Sequence, residues 1–226
     1  MIHATPSSGP THTLTLRSGE RLTLRPVHPH DDWRLAELIN AASEPARRQR
    51  FPSSEGLASP ARLQALACVD QCRHVALVVT HCDAPDDAGE TERIVAEARY
   101  RIDGHCNGDG KGNGDSAEFA LMVDERWQRR GIGSWLLRAL SAHAAHAGIA
   151  RLHGEAMADH TALLGLVRRC RFRVAVDPLQ PRIAQFTMQL QAPPSRSAGA
   201  ALWRRFTQRR WAGAPWPPVP AGLSRS

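Results

Sequence analysis

Gln128-Arg129-Arg130-Gly131-Ile132-Gly133 decides how the rest of this chain is read. Before it runs Glu118-Phe119-Ala120-Leu121-Met122-Val123, apolar and strand-like. After it, Ser134-Trp135-Leu136-Leu137 opens a helix-like run. A strand, a glycine-bearing turn and a helix make a cradle for an anion, because the turn's N–H groups and the positive end of the helix dipole face one point. Gly131 and Gly133 carry no Cβ, so a pyrophosphate can approach their backbone closely. Arg129 and Arg130 add positive charge. Two other nucleotide readings fail on spacing. A dinucleotide fingerprint needs GxGxxG, and only Gly131 and Gly133 fit; a Walker loop ends Gly-Lys-Ser/Thr, and the chain's one lysine, Lys111, lies elsewhere. Taken alone, the hexapeptide also fits an ordinary two-glycine turn, so the flanking sequence has to carry the argument.

The 226 residues suit one domain with an appendage and can bury a core. No apolar run reaches the roughly 18 residues of a membrane span. The polar N-terminus, Met1 to Thr13, lacks the apolar centre of a signal peptide, so the expected location is cytoplasmic. Five cysteines, an odd number without CxxC spacing, argue against a disulfide framework and a zinc site. Cys68 and Cys72 are one helical turn apart and read as two thiols on a core-facing stripe. The formal charge of +7 is uneven: residues 193–226 hold six arginines and no acid, which leaves the first 192 residues near neutral. A nucleic-acid function for the whole chain therefore does not follow from its basic character.

Residues 1–12 are expected to be disordered. Thr13–Leu16 and Arg21–Arg25 alternate polar and apolar around Ser18-Gly19-Glu20, the pattern of a hairpin. Asp31 and Asp32 are candidate caps for a helix presenting Trp33, Leu35, Leu38 and Ile39 on one face. A second helix is expected over 60–69, with Leu63, Leu66 and Ala67 inward, then strands at 75–79 and 94–102 around an acidic turn at 83–92. The Gly/Asn/Asp-rich stretch 103–117 reads as a loop. Its likeness to a calcium loop fails, because Lys111 takes a ligand position and Glu118 opens a strand. Beyond the cradle come a helix to about Ala147 with Gly148 closing it, and a strand at 149–157. A helix at 159–169 follows, with Leu163, Leu166 and Val167 inward, then strands at 172–176 and 183–190. This mixture implies an α/β sheet covered on both faces.

Over about residues 13–190 the chain resembles the GCN5-related N-acetyltransferases (GNAT), and within them the acetyltransferase domain of bacterial protein lysine acetyltransferases that modify acyl-CoA synthetases. Four stretches carry the resemblance: Leu22-Thr23-Leu24-Arg25-Pro26 with Asp31-Asp32; Val69-Asp70 with Val75-Ala76-Leu77-Val78; Ile94 to Tyr100; and, most specific, Ala117 to Val123 followed by Trp127 to Gly133. Leu152-His153-Gly154-Glu155 is similar to the next strand of that subgroup. The resemblance implies a GNAT fold with a mixed, mostly antiparallel central sheet, and acetyl-CoA as cosubstrate with no metal. It implies that Gln128, Arg129, Arg130, Gly131, Ile132, Gly133 and Ser134 hold the pyrophosphate. Leu121, Met122 and Val123 would offer backbone groups to the pantetheine like an added strand.

Acetyl transfer needs a neutral amine, so the site needs a base, together with donors for the developing oxyanion. Glu118 matches the subgroup's catalytic glutamate. Its neighbours Ala117, Phe119 and Ala120 suggest burial, which would raise its pKa and improve it as a base. Glu155 is the alternative base and Glu97 a weaker one, each otherwise a solvated strand residue. Three positions depart from the family pattern. His160 stands where many members carry Asn, and could contact CoA. Val167 stands where many carry the Tyr that protonates the leaving thiolate. Arg171-Phe172 replaces Gly-Phe, which makes a backbone turn harder. The acceptor is expected to be a protein lysine; a small-molecule amine, or a non-catalytic CoA-binding module, are the alternatives. The tail 193–226 holds Leu202, Trp203, Phe206 and Trp211 among arginines, a basic amphipathic pattern. It reads as a membrane or nucleic-acid contact, a dock for an acidic protein, or simply a packed helix or disordered end.

Overall fold

The computed structural model describes residues 12–51, 59–82, 92–104, 115–176 and 178–191. The N-terminal segment, most of the acidic turn, the calcium-like stretch and the basic tail lie outside them. The strands are β1 (His12–Thr15), β2 (Arg21–Pro26), β3 (His74–Cys82), β4 (Glu92–Ile102), β5 (Ser116–Val123), β6 (Arg151–Met157), β7 (Arg173–Val176) and β8 (Ile183–Gln189). They form one sheet in the order β1-β2-β3-β4-β5-β6-β8-β7. Every pairing is antiparallel except β5 with β6, so the expected mixed, mostly antiparallel sheet is found.

The helices are α1 (Asp32–Ala41), α2 (Glu44–Arg50), α3 (Pro60–Ala67), α4 (Ile132–His146) and α5 (Thr161–Arg169). They cover both faces because the strands are apolar on both. On one face Leu35, Leu38, Ile39 and Ala67 pack against Ala76, Val78, Ile94 and Met122. On the other, Leu136, Leu137, Leu140, Leu164 and Val167 pack against Leu77, Val79, Ala98, Phe119 and Leu152. Near this second core the Tyr100 hydroxyl is hydrogen-bonded to His143 Nδ1 at 2.9 Å, both groups buried.

Several expectations need correction. Glu44-Pro-Ala-Arg-Arg-Gln-Arg forms α2, although it shows no apolar stripe. Trp33 is 47% exposed and is not part of the inward face. Asp31 stands at the N-cap of α1 but makes no side-chain cap bond. It is buried and accepts hydrogen bonds from Arg25 at 2.6 Å and Arg34 at 3.2 Å. Cys68 and Cys72 share no helical stripe: α3 ends at Ala67, and Cys72 is exposed. In α5 the buried residues are Leu164 and Val167, with Leu163 and Leu166 half-buried against the core. The turn at Arg171 is made despite its side chain, at φ +69°. Arg171 N–H donates to Arg168 O and Phe172 N–H to Val167 O, the paired bonds of a Schellman motif that ordinarily has glycine at this position.

Candidate active site

The parallel pairing of β5 with β6 is short. Register partners are Ser116–Arg151, Ala117–Leu152 and Glu118–His153, and the two strands then part. Beyond Glu118, the edge of β5 facing β6 is left without a strand partner. Where the pairing ends, Gly154 of β6 is hemmed in by β5 and by a side chain of β8. A Cβ on Gly154 of β6 would lie 2.5 Å from Phe186 Cε2 and 3.1 Å from the Phe119 carbonyl oxygen. Phe119, Phe172 and Phe186 pack together there, tilted or edge-on, with ring centroids 5.1–6.3 Å apart.

A cleft of about 580 Å³ opens from this split. One half lies between Leu121, Val123 and Gln128 on the β5 side and Ala156, His160 and Leu163 on the other. The second half lies toward α2 and α3, bounded by Phe51, Arg62, Leu66, His74, Arg99 and Arg101. Glu118 and Glu155 both line it.

At the end of β5 the chain turns into α4. Gly131 is the N-cap, at φ +86°, and no side chain caps the helix. The N–H groups of the first turn therefore point out of the helix without intrahelical acceptors. Arg129 also takes a left-handed conformation, φ +62°. Gly133 serves packing: a Cβ there would come within 3.2 Å of Leu166 Cδ2 and 3.6 Å of Val123 Cγ2, so its absence lets α4 lie close to α5 and β5. Ile132 is buried, and only its backbone can serve a ligand. Ser134 is half-buried in the first turn. Gln128 Nε2 donates to Val123 O at 3.1 Å, tying the loop to the strand end. Arg130 is engaged: it pairs with Glu20 at 2.7 Å and lies 4.9 Å from the centroid of Trp127. A phosphate reaching Arg130 must compete with Glu20, whose carboxyl is held below its ordinary pKa by hydrogen bonds from Ser18 and Arg130.

The structure thus brings Glu118, Leu121, Met122, Val123, Gln128 and His160 to one cleft, with Arg129 to Ser134 at its end. The expected burial of Glu118 is not found. Its side chain is 54% exposed and lies 3.7 Å from Arg101 Nη2. The cause is strand periodicity: Ala117 and Phe119 point into the core on one face, and Glu118 points the other way. Glu97, by contrast, is not solvated. It is buried and bound to Arg99, which also donates to Leu66 O at 3.2 Å and so fastens the end of α3 to the sheet. His160 is the N-cap of α5, and burial pushes its pKa below the ordinary value, favouring the neutral ring. Val167 is fully buried in the core, and Tyr100 points into the same core, away from the cleft. Among the described residues no group of His, Cys, Asp or Glu is arranged to hold a metal ion. Sequence reasoning did not find Arg62, His74 and Arg99 as cleft residues; the positions of Arg99 and Arg101 two and four residues after Glu97 on one strand face were the available signal.

The profile of the Acetyltransferase (GNAT) family matches residues 40–172. The chain belongs to this family. It is similar to acetyltransferase Pat of Mycolicibacterium smegmatis, 30% identical over 156 residues; the match takes in 68% of this chain and 42% of that protein, so the chain spans less than half of its relative's length. Its fold is similar to the GNAT domain of S. lividans PAT, with TM-score 0.66 and 21% identity over 83% of this chain and all of that one. It is also similar to yncA of Salmonella typhimurium, a putative acetyltransferase solved with its cofactor acetyl-CoA, with TM-score 0.54 and 16% identity over 78% and 96% of the two chains.

Proposed function

We propose that this protein transfers the acetyl group of acetyl-CoA directly to the side-chain amine of a protein lysine, in the cytoplasm, with Glu118 as general base. The observation that carries the reading is the joining of two features in one cleft: a strand edge laid bare by the β5–β6 split, and the uncapped N-terminus of α4 at the end of that strand. The first suits an extended amide chain that pairs as an added strand. The second suits a pyrophosphate. Acetyl-CoA carries both groups in one molecule, and a fold relative contains it. The likeness to acetyltransferase Pat supports acetyl transfer, and the sequence resemblance to bacterial protein lysine acetyltransferases points to a protein acceptor.

Acetyl-CoA brings an acetyl thioester, an electrophile toward an unprotonated amine. The remaining tasks fall to the chain. The backbone of Leu121, Met122 and Val123 aligns the pantetheine, and the N–H groups of Gly131, Ile132, Gly133 and Ser134, with Gln128, Arg129 and Arg130, receive the pyrophosphate. His160, neutral at the cleft wall, borders the same half. A free lysine amine is only about 1 part in 2,500 neutral at pH 7, so proton removal has to accompany attack. Glu118 stands where the strands part, open to water, and accepts that proton directly or through one water. With Val167 buried and no tyrosine in the cleft, water protonates the departing thiolate. The test is acetyl transfer from acetyl-CoA to an acyl-CoA synthetase. Glu118→Gln should lower kcat about 100-fold with little change in acetyl-CoA binding by calorimetry. Full turnover by that variant removes Glu118 from the role.

A further inference from the structure

The acceptor half of the cleft is basic. Arg62 of α3, His74 of β3 and Arg99 and Arg101 of β4 line it. Among the described residues the acids nearby are Glu97, which is buried and taken up by Arg99, Glu118, and Glu155 on β6, which accepts a hydrogen bond from Gln185. Arg101 is the most open of the three guanidinia, 73% exposed, and its ionic contact among the described residues is Glu118 Oε2 at 3.7 Å. That distance is too long for a hydrogen bond, so Arg101 keeps its donors for another acceptor.

A bare ammonium is poorly matched to the β4 side of this wall, where it meets guanidinia of its own sign and Glu118 is the carboxylate beside Arg101. The reaction sharpens the mismatch. When Glu118 takes the amine proton it loses its charge, and Arg101 loses its counter-ion. A carboxylate carried by the acceptor beside its amine answers both problems. It is drawn to Arg101 on approach, and it replaces Glu118 as the partner of Arg101 during transfer. A guanidinium suits this task because it binds carboxylate with two parallel N–H donors.

We infer that the acceptor is a lysine flanked by an acidic residue, and that Arg101 is the contact that selects it. This rests on the protein-lysine reading above. The test uses the full chain, acetyl-CoA and a set of short peptides, acetylated and amidated at their ends. Each holds one lysine in an Ala/Gly frame, and the residue next to it is Glu, Gln or Arg. The wild-type protein should favour the Glu peptide over the Gln peptide about fivefold in kcat/KM, the factor expected of one exposed ion pair, with the Arg peptide poorest. The ratio should fall toward one in Arg101→Gln and narrow in high salt. Ratios are taken within each variant, so a general loss of activity cancels. Equal rates for the three peptides in the wild-type protein overturn the inference and leave the lysine reading standing. A preference that survives in Arg101→Gln removes Arg101 from the role. Acetylation of small amines but of none of the peptides overturns the lysine reading and the inference together.

Discussion

Gly154→Ala is the sharpest test of how the cleft is built. The added methyl would lie 2.5 Å and 3.0 Å from two ring carbons of Phe186, and 3.1 Å from a backbone oxygen of β5. Ordinary contact begins near 3.4 Å, so something must move. The Phe186 ring has little room: it is 2% exposed and packed against Phe119 and Phe172 at centroid distances of 5.4 and 6.3 Å. Overpacking of this kind costs about 1–3 kcal/mol, and replacing a strand glycine by alanine returns about 0.5–1 kcal/mol. The net expectation is a loss of about 1 kcal/mol. With an m-value of about 2 kcal/mol/M, the urea midpoint should fall by about 0.5 M. Phe186→Leu makes room for the methyl, so the double variant should be more stable than the two single losses predict, by at least about 1 kcal/mol. A strand that yields by moving away from β5 also changes the width of the split, and KM for acetyl-CoA should rise. A midpoint shift under about 0.2 M, or a strictly additive cycle, would refute the claim that Phe186 leaves no room for a side chain at position 154.

Two further outcomes follow from the same structure. Arg171→Gly relieves a left-handed residue at the end of α5 and should stabilise the fold by about 1 kcal/mol, read as a higher urea midpoint. Stability should also fall with acid earlier than the carboxylates alone would dictate. Burial pushes the His143 pKa down from 6.5 to about 4, so the unfolded chain binds a proton in this interval that the native protein does not. Its contribution is complete above pH 6.5 and is lost as pH falls toward 4, at up to about 1.4 kcal/mol per pH unit and about 3 kcal/mol in all. His28, His74 and His160, also depressed mainly by burial, act in the same sense. His143→Gln should flatten the slope by close to one proton, and an unchanged slope would contradict a neutral buried ring.

How far the chain could be read without its structure depends on what each signal measures. The strand–turn–helix at 118–137 was legible because glycine spacing, alternation and helical periodicity are local. Gly131 takes the positive φ, and α4 begins at Ile132. Glu118 lies on its expected strand but in a different environment, because its apolar neighbours in sequence are not its neighbours in space. On a strand, Ala117 and Phe119 point to the opposite face, and the residues beside Glu118 are instead Arg101 across the ladder and His153 in the next strand. The same rule places Glu97 and Arg99 together on one face, where each is buried and supports the other. Helix α2 escaped notice because Glu44–Arg50 has no apolar stripe to detect. The split between β5 and β6 is the feature least visible in sequence and the one most responsible for the site. It is a matter of where the β5–β6 ladder stops, at Glu118–His153, and of β8 rather than β7 lying beside β6, which no local pattern records. A motif can therefore announce the phosphate end of the donor from six residues, while the acceptor end is written in ladder register. That is why the arginines of β4, unremarkable in sequence, carry the inference about the acceptor.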